Sequence, residues 1–370
     1  MSALFTPVRI GPVEAANRVV ISPMCMYAAE EGTASDFHIQ HVMRFAMSGA
    51  GLAVLEATGV TPEGRISPAC LGLWSDENER ALARVVSSAK RWGLPNAKLG
   101  IQLCHAGRKG STPLPWERGG PLTPEKGAWT TLAPSAIPFG PNEPAPRELT
   151  DVEIRDIIRA FAESAKRAAR AGFDVIEMHA AHGYLIHQFH SPLSNKRTDD
   201  WGGDEERRLR FPLAVAEAIR AATPDHVALG ARITGTDFAE GGLTVEDGAR
   251  LARELKARGF HYVCVSSGNI VAGGRPATGP NFNLERAAQV KRESGIVTRT
   301  VGFIAGPRAA EEAVASGAVD QVALARAFLD DPNWAIHAAE TLGASWAVSR
   351  HYGRVGQGAW PGASVSRAWP

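Results

Sequence analysis

Residues 150–184, which read TDVEIRDIIRAFAESAKRAARAGFDVIEMHAAHGY, decide the fold class of this chain. Thr150 and Glu153 form a capping box, in which two side chains satisfy free backbone N–H groups at the start of a helix. The spacing of the apolar residues predicts that this helix extends to about Ala171, and Gly172 is suited to end it. Residues 173–178 are an apolar run and predict a strand. A helix followed by a buried strand is the repeating unit of an α/β protein.

The same alternation of strand and helix recurs along the chain. Each predicted strand is a near-continuous apolar run, which is typical of parallel strands that are covered on both faces. Eight such alternations predict a closed (β/α)8 barrel, the TIM barrel fold. The predicted strands are 18–23, 51–57, 99–104, 173–178, 227–233, 261–266, 297–302 and 321–325, and the further predicted helices are 204–222, 244–258 and 307–316.

The alternative fold is an open, doubly wound α/β sheet. A nucleotide-binding sheet of that kind carries the pattern G-x-G-x-x-G directly after an early strand. Residues 23–27, which follow the first predicted strand, read PMCMY instead. The lack of this pattern in the sequence favours the closed barrel.

Composition limits the classes of function. The chain has 370 residues, enough for one large α/β domain or two ordinary ones, and its 40 lysines and arginines against 39 acids give a net charge of +1. No overall field would therefore attract nucleic acid or an anionic membrane surface. No run approaches the roughly 18 apolar residues of a membrane span. The four cysteines lie far apart and residues 1–11 lack a signal-peptide pattern, so we expect a cytoplasmic location.

We expect residues 1–345 to form a single barrel domain. Residues 111–150 follow the third predicted strand and contain nine prolines with little periodicity. A segment of this length in a compact domain usually has a function. Its position over the barrel mouth predicts a capping insertion or lid, with a simple surface excursion as the alternative. Residues 346–370 form a Gly/Trp-rich C-terminal tail, which we expect at a subunit interface.

At the end of the fourth predicted strand, residues 179–184 read HAAHGY and bring two imidazoles and a phenol together. Each neutral imidazole donates one N–H, so His179 and His182 can hold the oxygen of a carbonyl or nitro group. The phenol of Tyr184 can supply a proton, and the combination suits a reductase. The same two histidines could instead be half of a metal site, or satisfied polar residues at the rim of a barrel.

In a barrel the chemistry gathers at the carboxyl ends of the strands. The residues at the eight predicted strand ends are mostly hydrogen-bond donors with small residues beside them. A planar heterocycle with carbonyls, ring nitrogens and a phosphate would use such a set, because amides bind a ring edge and guanidinium groups stabilise negative charge. Flavin mononucleotide (FMN) matches this description. The strand ends are 23–27, 56–58, 102–105, 179–184, 232, 266–267, 301–302 and 325–326.

Several sequence blocks resemble those of the old yellow enzyme family of FMN-dependent ene-reductases. The resemblance is greatest to the branch with a cysteine near the flavin, which includes xenobiotic reductase and the thermophilic-like enzymes, and it extends from residue 4 to about residue 334. It rests on NRV at 17–19, SPMCMY at 22–27, EAT at 56–58, QLCHAGRK at 102–109, APS at 133–135, HAAHGYL at 179–185 and SPLSNKRTD at 191–199. These blocks are separate and occur in the right order, which excludes chance.

The resemblance implies a set of FMN-binding residues. The thiol of Cys25 would lie near the N5 and O4 edge of the flavin, where a weak donor can adjust its reduction potential. Gln102 would bind the pyrimidine ring and Arg232 would lie near N1, although Arg232 could instead pair with Glu177 or another barrel acid. The remaining implied contacts are packing by Pro23, Met24, Ala57 and Gly302, and phosphate binding at Arg326 and at Ala325, which replaces a common glycine.

The resemblance also implies the reaction. His179 and His182 would bind the carbonyl oxygen of an activated alkene, and these bonds would strengthen as the oxygen gains negative charge. Tyr184, whose ordinary pKa is about 10, would protonate the α-carbon from the face opposite the flavin. NADPH or NADH would occupy the same space first, reduce FMN and leave. Further implied residues are Cys25 and Tyr27 in catalysis, and Tyr27, Lys109 and Arg354 in binding the enone or nitro substrate.

Arg354 stands two residues after Tyr352 and matches an arginine that close relatives send into the site of a neighbouring subunit. A solvated surface arginine is the alternative interpretation. If Arg354 enters a neighbouring subunit, as the resemblance implies, the protein is a homodimer or homotetramer.

Two other functions stay open from the residues alone. A metal-dependent hydrolase on the same barrel would use His179 and His182 with further ligands, but Gln102 and Arg232 are poor partners for a cation. A non-catalytic flavin-binding protein would need neither the paired histidines nor Tyr184. We expect no metal site, and the cysteines lack the spacing of an iron–sulfur cluster.

Overall fold

A closed barrel of eight parallel strands forms the centre of the computed structural model, which describes residues 2–117, 120–274, 279–358 and 360–362. The strands pair in sequence order, and the last pairs with the first. The predicted TIM barrel is thereby confirmed, and the open sheet is excluded. The strands are β1 (Val19–Ile21), β2 (Leu52–Gly59), β3 (Lys98–Cys104), β4 (Val175–Ala180), β5 (Ala228–Thr234), β6 (Tyr262–Ser266), β7 (Val297–Val301) and β8 (Gln321–Leu324).

Helices cover the outside of the barrel. The predicted capping box is present at the start of the third helix, where Thr150 and Glu153 each bind the other's backbone N–H, and Gly172 follows its end with a φ of 94°. The helices in the described ranges are α1 (Asp36–Ala46), α2 (Asp76–Trp92), α3 (Asp151–Arg170), α4 (Leu185–His190), α5 (Glu205–Ala222), α6 (Val245–Ala257), α7 (Leu284–Ser294), α8 (Pro307–Ala315), α9 (Arg326–Asp330) and α10 (Trp334–Thr341).

An N-terminal hairpin belongs to the packed centre of the barrel. Its strands, Val8–Ile10 and Val13–Ala15, are antiparallel, and Ile10 and Val13 pack in one cluster with apolar side chains of seven barrel strands. A second and larger cluster fills the layer between the strands and the helices. The barrel is therefore a filled core and not a pore, and its ligand-binding positions lie at the strand ends.

A buried ion pair lies inside the barrel. Arg299 on β7 approaches Glu177 on β4 with 3.4 Å between Nη1 and Oε2, and both side chains are almost fully buried. Tyr262 donates a hydrogen bond of 2.9 Å to the same carboxylate, and Gln102 donates one of 2.7 Å to its other oxygen. The barrel acid considered as a partner of Arg232 is therefore paired with a different arginine.

The segment 111–150 is anchored to the barrel at several points. Leu132–Ala133 pairs with Arg147–Glu148 in a short parallel ladder. Arg108, at the base of the segment, donates a hydrogen bond of 3.1 Å to the carbonyl of Ile137 and another to the carbonyl of Ile270, beyond β6. The ladder lies within the segment, and the hydrogen bonds of Arg108 tie the segment to the loops that follow β3 and β6. Its function as a lid and the single-domain division at residue 345 stay predictions, and residues 118–119 lie outside the described ranges.

The described part of the C-terminal tail includes a short 3-10 helix, Arg350–Val355. It packs beside the end of α2, where the rings of His351 and Trp92 are 5.4 Å apart. Residues 363–370, which include the final Ala368-Trp369-Pro370, lie outside the described ranges. In the ranges that the structure describes, no helix has the length and hydropathy needed to cross a membrane.

Replacement of Arg299 by methionine tests the buried ion pair. The variant leaves Glu177 charged in the barrel interior, so we expect it to lose about 3–5 kcal/mol of unfolding free energy, measured by urea denaturation. Combining Arg299→Met with Glu177→Gln should restore much of this loss because no lone charge is left.

The control is Arg292→Met, which changes an exposed arginine on α7 and should alter stability by less than about 0.5 kcal/mol. An equal loss in the two single variants would contradict a special role for the buried pair.

Candidate active site

Three predicted residues meet at the end of β4. The rings of His179 and His182 have their centroids 5.1 Å apart at 87°, and those of His179 and Tyr184 are 4.9 Å apart at 76°. The structure therefore brings both imidazoles and the phenol into one group of edge-on contacts.

A turn with two positive φ angles aims these side chains. His182 has a φ of 59° and Gly183 a φ of 74°, in the left-handed region where side chains are rarely tolerated. A Cβ added to Gly183 would lie 2.1 Å from the carbonyl oxygen of Asn269. Only glycine fits there, and the turn reverses the chain so that Tyr184 faces His179.

A buried histidine–aspartate pair supports this turn. The N–H of Gly183 donates a hydrogen bond of 2.8 Å to Nδ1 of His187, so Nδ1 must carry a lone pair. The proton of a neutral ring then lies on Nε2, which is 2.7 Å from Asp237 Oδ1, and both side chains are fully buried. Asp237 also accepts hydrogen bonds from Ser191 (2.7 Å) and from the N–H of Leu243 (2.8 Å). This network fixes the tautomer of His187 and with it the turn.

His187 and Asp237 were not predicted from the sequence to belong to the site. His187 lies on α4 in the block LIHQFH, directly after the motif that was used, and Asp237 stands three residues after the end of β5. Gln188, another buried side chain of α4, supports the same turn by donating a hydrogen bond of 2.6 Å to the carbonyl of Gly183. The available signal for His187 in the sequence was a further histidine within one turn of helix after the HAAHGY motif.

Two cationic side chains flank the paired histidines. Lys109 donates hydrogen bonds to the carbonyls of His182 (2.7 Å) and Asn269 (3.1 Å), with its Nζ 5.3 Å from the Tyr184 ring centroid. Arg232 lies 3.4 Å from the Ser266 hydroxyl, which is 2.6 Å from Nε2 of His182. The predicted position of Lys109 beside the substrate space is thus consistent with the geometry.

The protonation states follow from burial and charge. Burial, and after it the charge of Arg232, lowers the pKa of His179 and of His182 well below the usual value. Burial raises the pKa of Tyr184 well above its usual value. At neutral pH the imidazoles are therefore neutral and carry one N–H each, and the phenol keeps its proton.

A cavity of about 880 Å³ lies at the ends of β5 to β8. Arg232 and Ser266 line one part of it, and Gly302 and Arg326 line another. Its volume is in the range of small-molecule and cofactor sites. Arg232 Nε is buried and has no hydrogen-bond partner among the described residues, so it is a donor without an acceptor. A cavity with guanidinium groups on its lining and an unsatisfied donor fits a planar ring system that carries a phosphate.

The backbone at the phosphate side is compatible with this assignment. Gly302 has a φ of 136°, and a Cβ there would lie 2.6 Å from the Phe282 ring. Ala325, at the position where the resemblance implies a glycine, has a φ of −111°, so it does not adopt the left-handed conformation that favours glycine. Gly302 and Ala325 both line the cavity, as does Arg326.

The residues implied at the other side of the ring lie on β1 to β3 and the loops that follow. Pro23, Met24 and Cys25 are half-buried after β1, and Ala57 lies at an irregularity in the pairing of β2 with β3. Gln102 uses one N–H on Glu177, which leaves its other polar atoms for a ligand. This part of the predicted set is also compatible with FMN.

Tyr27 has a φ of 56° and makes an edge-on contact of 5.9 Å with the ring of Trp116, in the segment 111–150. Burial raises the pKa of Tyr27 to about 12. Arg354 is different from the other predicted residues, because it is exposed in the turn 350–355 beside the end of α2, away from the strand ends. Its predicted contact would require a second subunit.

Among the described residues, no group of three or more His, Cys, Asp or Glu side chains is arranged to hold a metal ion. His179 and His182 therefore have no third ligand of these types in the described ranges.

Comparisons with known proteins extend over nearly the whole chain. Residues 3–344 match the NADH:flavin oxidoreductase / NADH oxidase family. The chain is 41% identical to an NADPH dehydrogenase of Listeria innocua over 356 residues, which cover 96% of this chain and 99% of that protein. It is 40% identical to an NADPH dehydrogenase of Geobacillus thermodenitrificans over 355 residues, with 95% and 98% covered. A solved structure of morphinone reductase in complex with tetrahydroNAD has a TM-score of 0.75 at 26% identity, covering 94% of this chain and 93% of that one.

These matches and the site define the class as flavin oxidoreductases built on a TIM barrel. The chain belongs to the NADH:flavin oxidoreductase / NADH oxidase family, that of the old yellow enzymes. It is an NADPH-dependent oxidoreductase that uses FMN and acts on small molecules. Membership of this family of enzymes excludes the two alternative functions, the metal-dependent hydrolase and the non-catalytic flavin-binding protein.

The variant Asp237→Asn tests the support of the HAAHGY turn. Asparagine has the same size but presents an amide that can donate to Nε2 of His187, which would move the ring proton to Nδ1 and remove the acceptor of the Gly183 N–H. A phenol added as a ligand would bind through its oxygen to His179 and His182. We expect the affinity of the enzyme for this ligand, titrated by the change in flavin absorbance, to fall by about 10- to 100-fold.

Asp225→Asn, which changes an exposed aspartate paired with Arg220, is the matched control and should leave the affinity unchanged. FMN content and circular dichroism would establish that both variants fold. Wild-type affinity in a folded Asp237→Asn protein would contradict the role of this pair.

Proposed function

We propose that this enzyme reduces the activated C=C bond of α,β-unsaturated carbonyl compounds or nitroalkenes, with NADPH as the reductant. The observation that carries the proposal is the group of His179, His182 and Tyr184, whose rings lie about 5 Å apart beside Arg232. A protein that only stored FMN would need no paired oxygen-binding donors and no proton donor.

The paired imidazoles bind the oxygen of the substrate. Each is neutral and offers one N–H, and each lies close to a buried arginine and a lysine. Negative charge that develops on a carbonyl or nitro oxygen is stabilised by these donors and by the nearby cations more than the neutral ground state is. The alkene carbon β to the carbonyl thereby becomes a better hydride acceptor.

Tyr184 completes the reduction by protonating the α-carbon. Its raised pKa keeps the proton on oxygen until negative charge forms on the substrate. FMN, when bound along the cavity from Arg232 to Arg326, supplies the hydride at N5. NADPH and the alkene would use the same space in turn, so the kinetics would be ping-pong. The nucleotide analogue bound in the morphinone reductase structure supports a nicotinamide site in this kind of barrel.

The remaining predicted residues have supporting roles in this proposal. Tyr27 shapes the substrate space next to Trp116, and Lys109 fixes the carbonyl of His182. Residues 111–150 act as a lid. Arg354 enters the site of a neighbouring subunit in a homodimer or homotetramer, and the enzyme acts in the cytoplasm.

The colour of the purified protein gives the direct test. Flavin absorbance near ~450 nm should bleach with NADPH without oxygen and return when 2-cyclohexenone is added, with saturated cyclohexanone as the negative control. A panel of enones, maleimides and nitroalkenes would define the substrate class. Reduction of the flavin by NADPH without reoxidation by any activated alkene would overturn the proposal.

Tyr184→Phe separates proton donation from flavin reduction. The substitution removes only the hydroxyl, so we expect reoxidation of the reduced enzyme by 2-cyclohexenone to slow by about 10²- to 10⁴-fold in stopped-flow measurements. Reduction of FMN by NADPH needs no proton from this residue and should change little.

Tyr352→Phe, at an exposed tyrosine of the tail, is the matched control and should leave both steps unchanged. Equal slowing of the two half-reactions in Tyr184→Phe would remove this residue as the proton donor.

The pH dependence tests the proposed protonation states. The lowered pKa of each histidine keeps it neutral down to pH values below the usual titration, and the raised pKa of Tyr184 keeps it protonated above its own. Single-turnover reduction of the alkene should therefore be flat from about pH 6 to about pH 9. A fall in rate on acidification centred near pH 6.5 would indicate that a histidine titrates in its ordinary range, and a fall on alkalinisation centred near pH 10 would indicate the same of Tyr184.

A further inference from the structure

A buried carboxylate, Glu56, lies near the end of β2, beside the implied flavin site. The pairing of β2 with β3 joins Leu55 to Ile101 and then Ala57 to Gln102, so Glu56 is left without a partner, as in a β-bulge. Bulges re-aim a side chain and are frequent next to active sites. The carboxylate of Glu56 contacts the loop after β1 and helix α1.

Two hydrogen-bond donors face this carboxylate. Oε2 of Glu56 accepts a hydrogen bond of 3.3 Å from the backbone N–H of Met26, in the loop after β1. Oε1 lies 3.5 Å from Nε2 of His38 on α1. Because Nδ1 of His38 accepts from the N–H of Ser35 at 3.0 Å, the ring proton lies on Nε2 and faces Glu56. Both oxygens of Glu56 therefore face donors, which suits an ionised carboxylate.

The charge of Glu56 is compensated less than that of the other buried carboxylates in the described ranges. Glu177 is paired with Arg299, and Asp237 accepts three hydrogen bonds of 2.7 to 2.8 Å. Glu56 is 4% exposed, and its ion-pair contact is with a neutral imidazole. Burial raises the pKa of Glu56, although the two donors oppose the rise. A buried carboxylate with so little compensation at a strand end is a candidate for a functional role.

The loop that Glu56 contacts is part of the implied flavin site. Met26 stands between Cys25 and Tyr27, which the resemblance places beside the flavin and the substrate, and Tyr27 has a φ of 56°. A hydrogen bond to the N–H of Met26 therefore fixes the backbone from which both side chains extend.

We propose that Glu56 is a positioning residue of the flavin site, which holds the loop 23–27 against FMN through the Met26 N–H and lowers the reduction potential of the flavin through its negative charge. Reduction adds electrons to the bound ring, and a fixed negative charge nearby makes this step less favourable. The inference rests on the predicted packing of FMN against this loop, and it does not depend on the reduction of an alkene.

Glu56→Gln removes the charge and keeps the contact. Glutamine has the same length and retains an oxygen that can accept from the Met26 N–H. We expect the equilibrium constant for reduction of bound FMN to rise about 3- to 10-fold, a shift of ~15 to 30 mV to more positive potential for a two-electron couple. The potential is measured by spectroscopic titration against a reference dye, and the affinity for oxidised FMN should change little.

Glu56→Asp makes the reverse change. Aspartate keeps the charge but is one methylene shorter, so it does not reach the Met26 N–H. We expect the Kd of oxidised FMN, measured by flavin fluorescence, to rise about 3- to 10-fold through the loss of one net hydrogen bond. The potential should shift less than in Glu56→Gln. Glu77→Gln changes an exposed acid at the start of α2 and is the matched control, which should leave both quantities unchanged.

Each variant tests one part of the proposal, so either one alone can contradict it if the other fails to fold by circular dichroism. An unchanged potential in Glu56→Gln, or an unchanged FMN affinity in Glu56→Asp, would overturn it. Cys25→Ala separates this failure from a wrong placement of FMN, because loss of a thiol beside the ring should shift the potential. A shift in Cys25→Ala alone would refute the role of Glu56, whereas no shift in any variant would also refute the packing of FMN against the loop 23–27.

Discussion

The hydrogen bond from the Gly183 N–H to His187 is the constraint on which the arrangement of the site depends. It requires a lone pair on Nδ1, and Asp237 holds the ring proton on the opposite nitrogen. The side chains of His187 and Asp237 are fully buried, so neither can exchange the hydrogen bond between them for one with water without loss of stability. The turn is then kept left-handed at His182 and Gly183, with no room for a Cβ at Gly183, and the imidazoles and the phenol face one another as a result.

The charges near this turn explain why the histidines are useful as neutral donors. Arg232 and Lys109 both lie close to the pair, and burial acts in the same direction, so protonation of either imidazole is unfavourable. The cations remain available to stabilise negative charge that forms on a bound ligand. In the barrel interior, by contrast, the cationic side chain of Arg299 is paired directly with the carboxylate of Glu177. Arg299 neutralises the charge of Glu177, while Arg232 has a buried donor, Nε, with no acceptor among the described residues.

The barrel strands and four of the helices, α3, α5, α6 and α8, were predictable because their signals are local. Periodicity and capping placed β4 and α3 within two residues of their observed bounds, since the Thr150–Glu153 box and the apolar run after Gly172 act within one turn or one strand. The sequence motif around His179 and His182 also identified the site. The contact of His187 with Asp237 was not predictable in this way, because it joins helix α4 to a loop that lies 50 residues further along the chain. The partner of Glu177 is a similar case, since several arginines could reach the barrel interior.

The sequence by itself determined the closed barrel, the family and the chemical groups at the strand ends. These properties follow from apolar spacing and from the order of the motif blocks, both of which are read along the chain. Only the tertiary structure decided which side chains pair, on which nitrogen His187 carries its proton, and that Nε of Arg232 keeps no partner in the described ranges. The physical reason is that hydrogen bonding and burial depend on distances across the barrel, and strand ends far apart in sequence become neighbours only when the ring of strands closes.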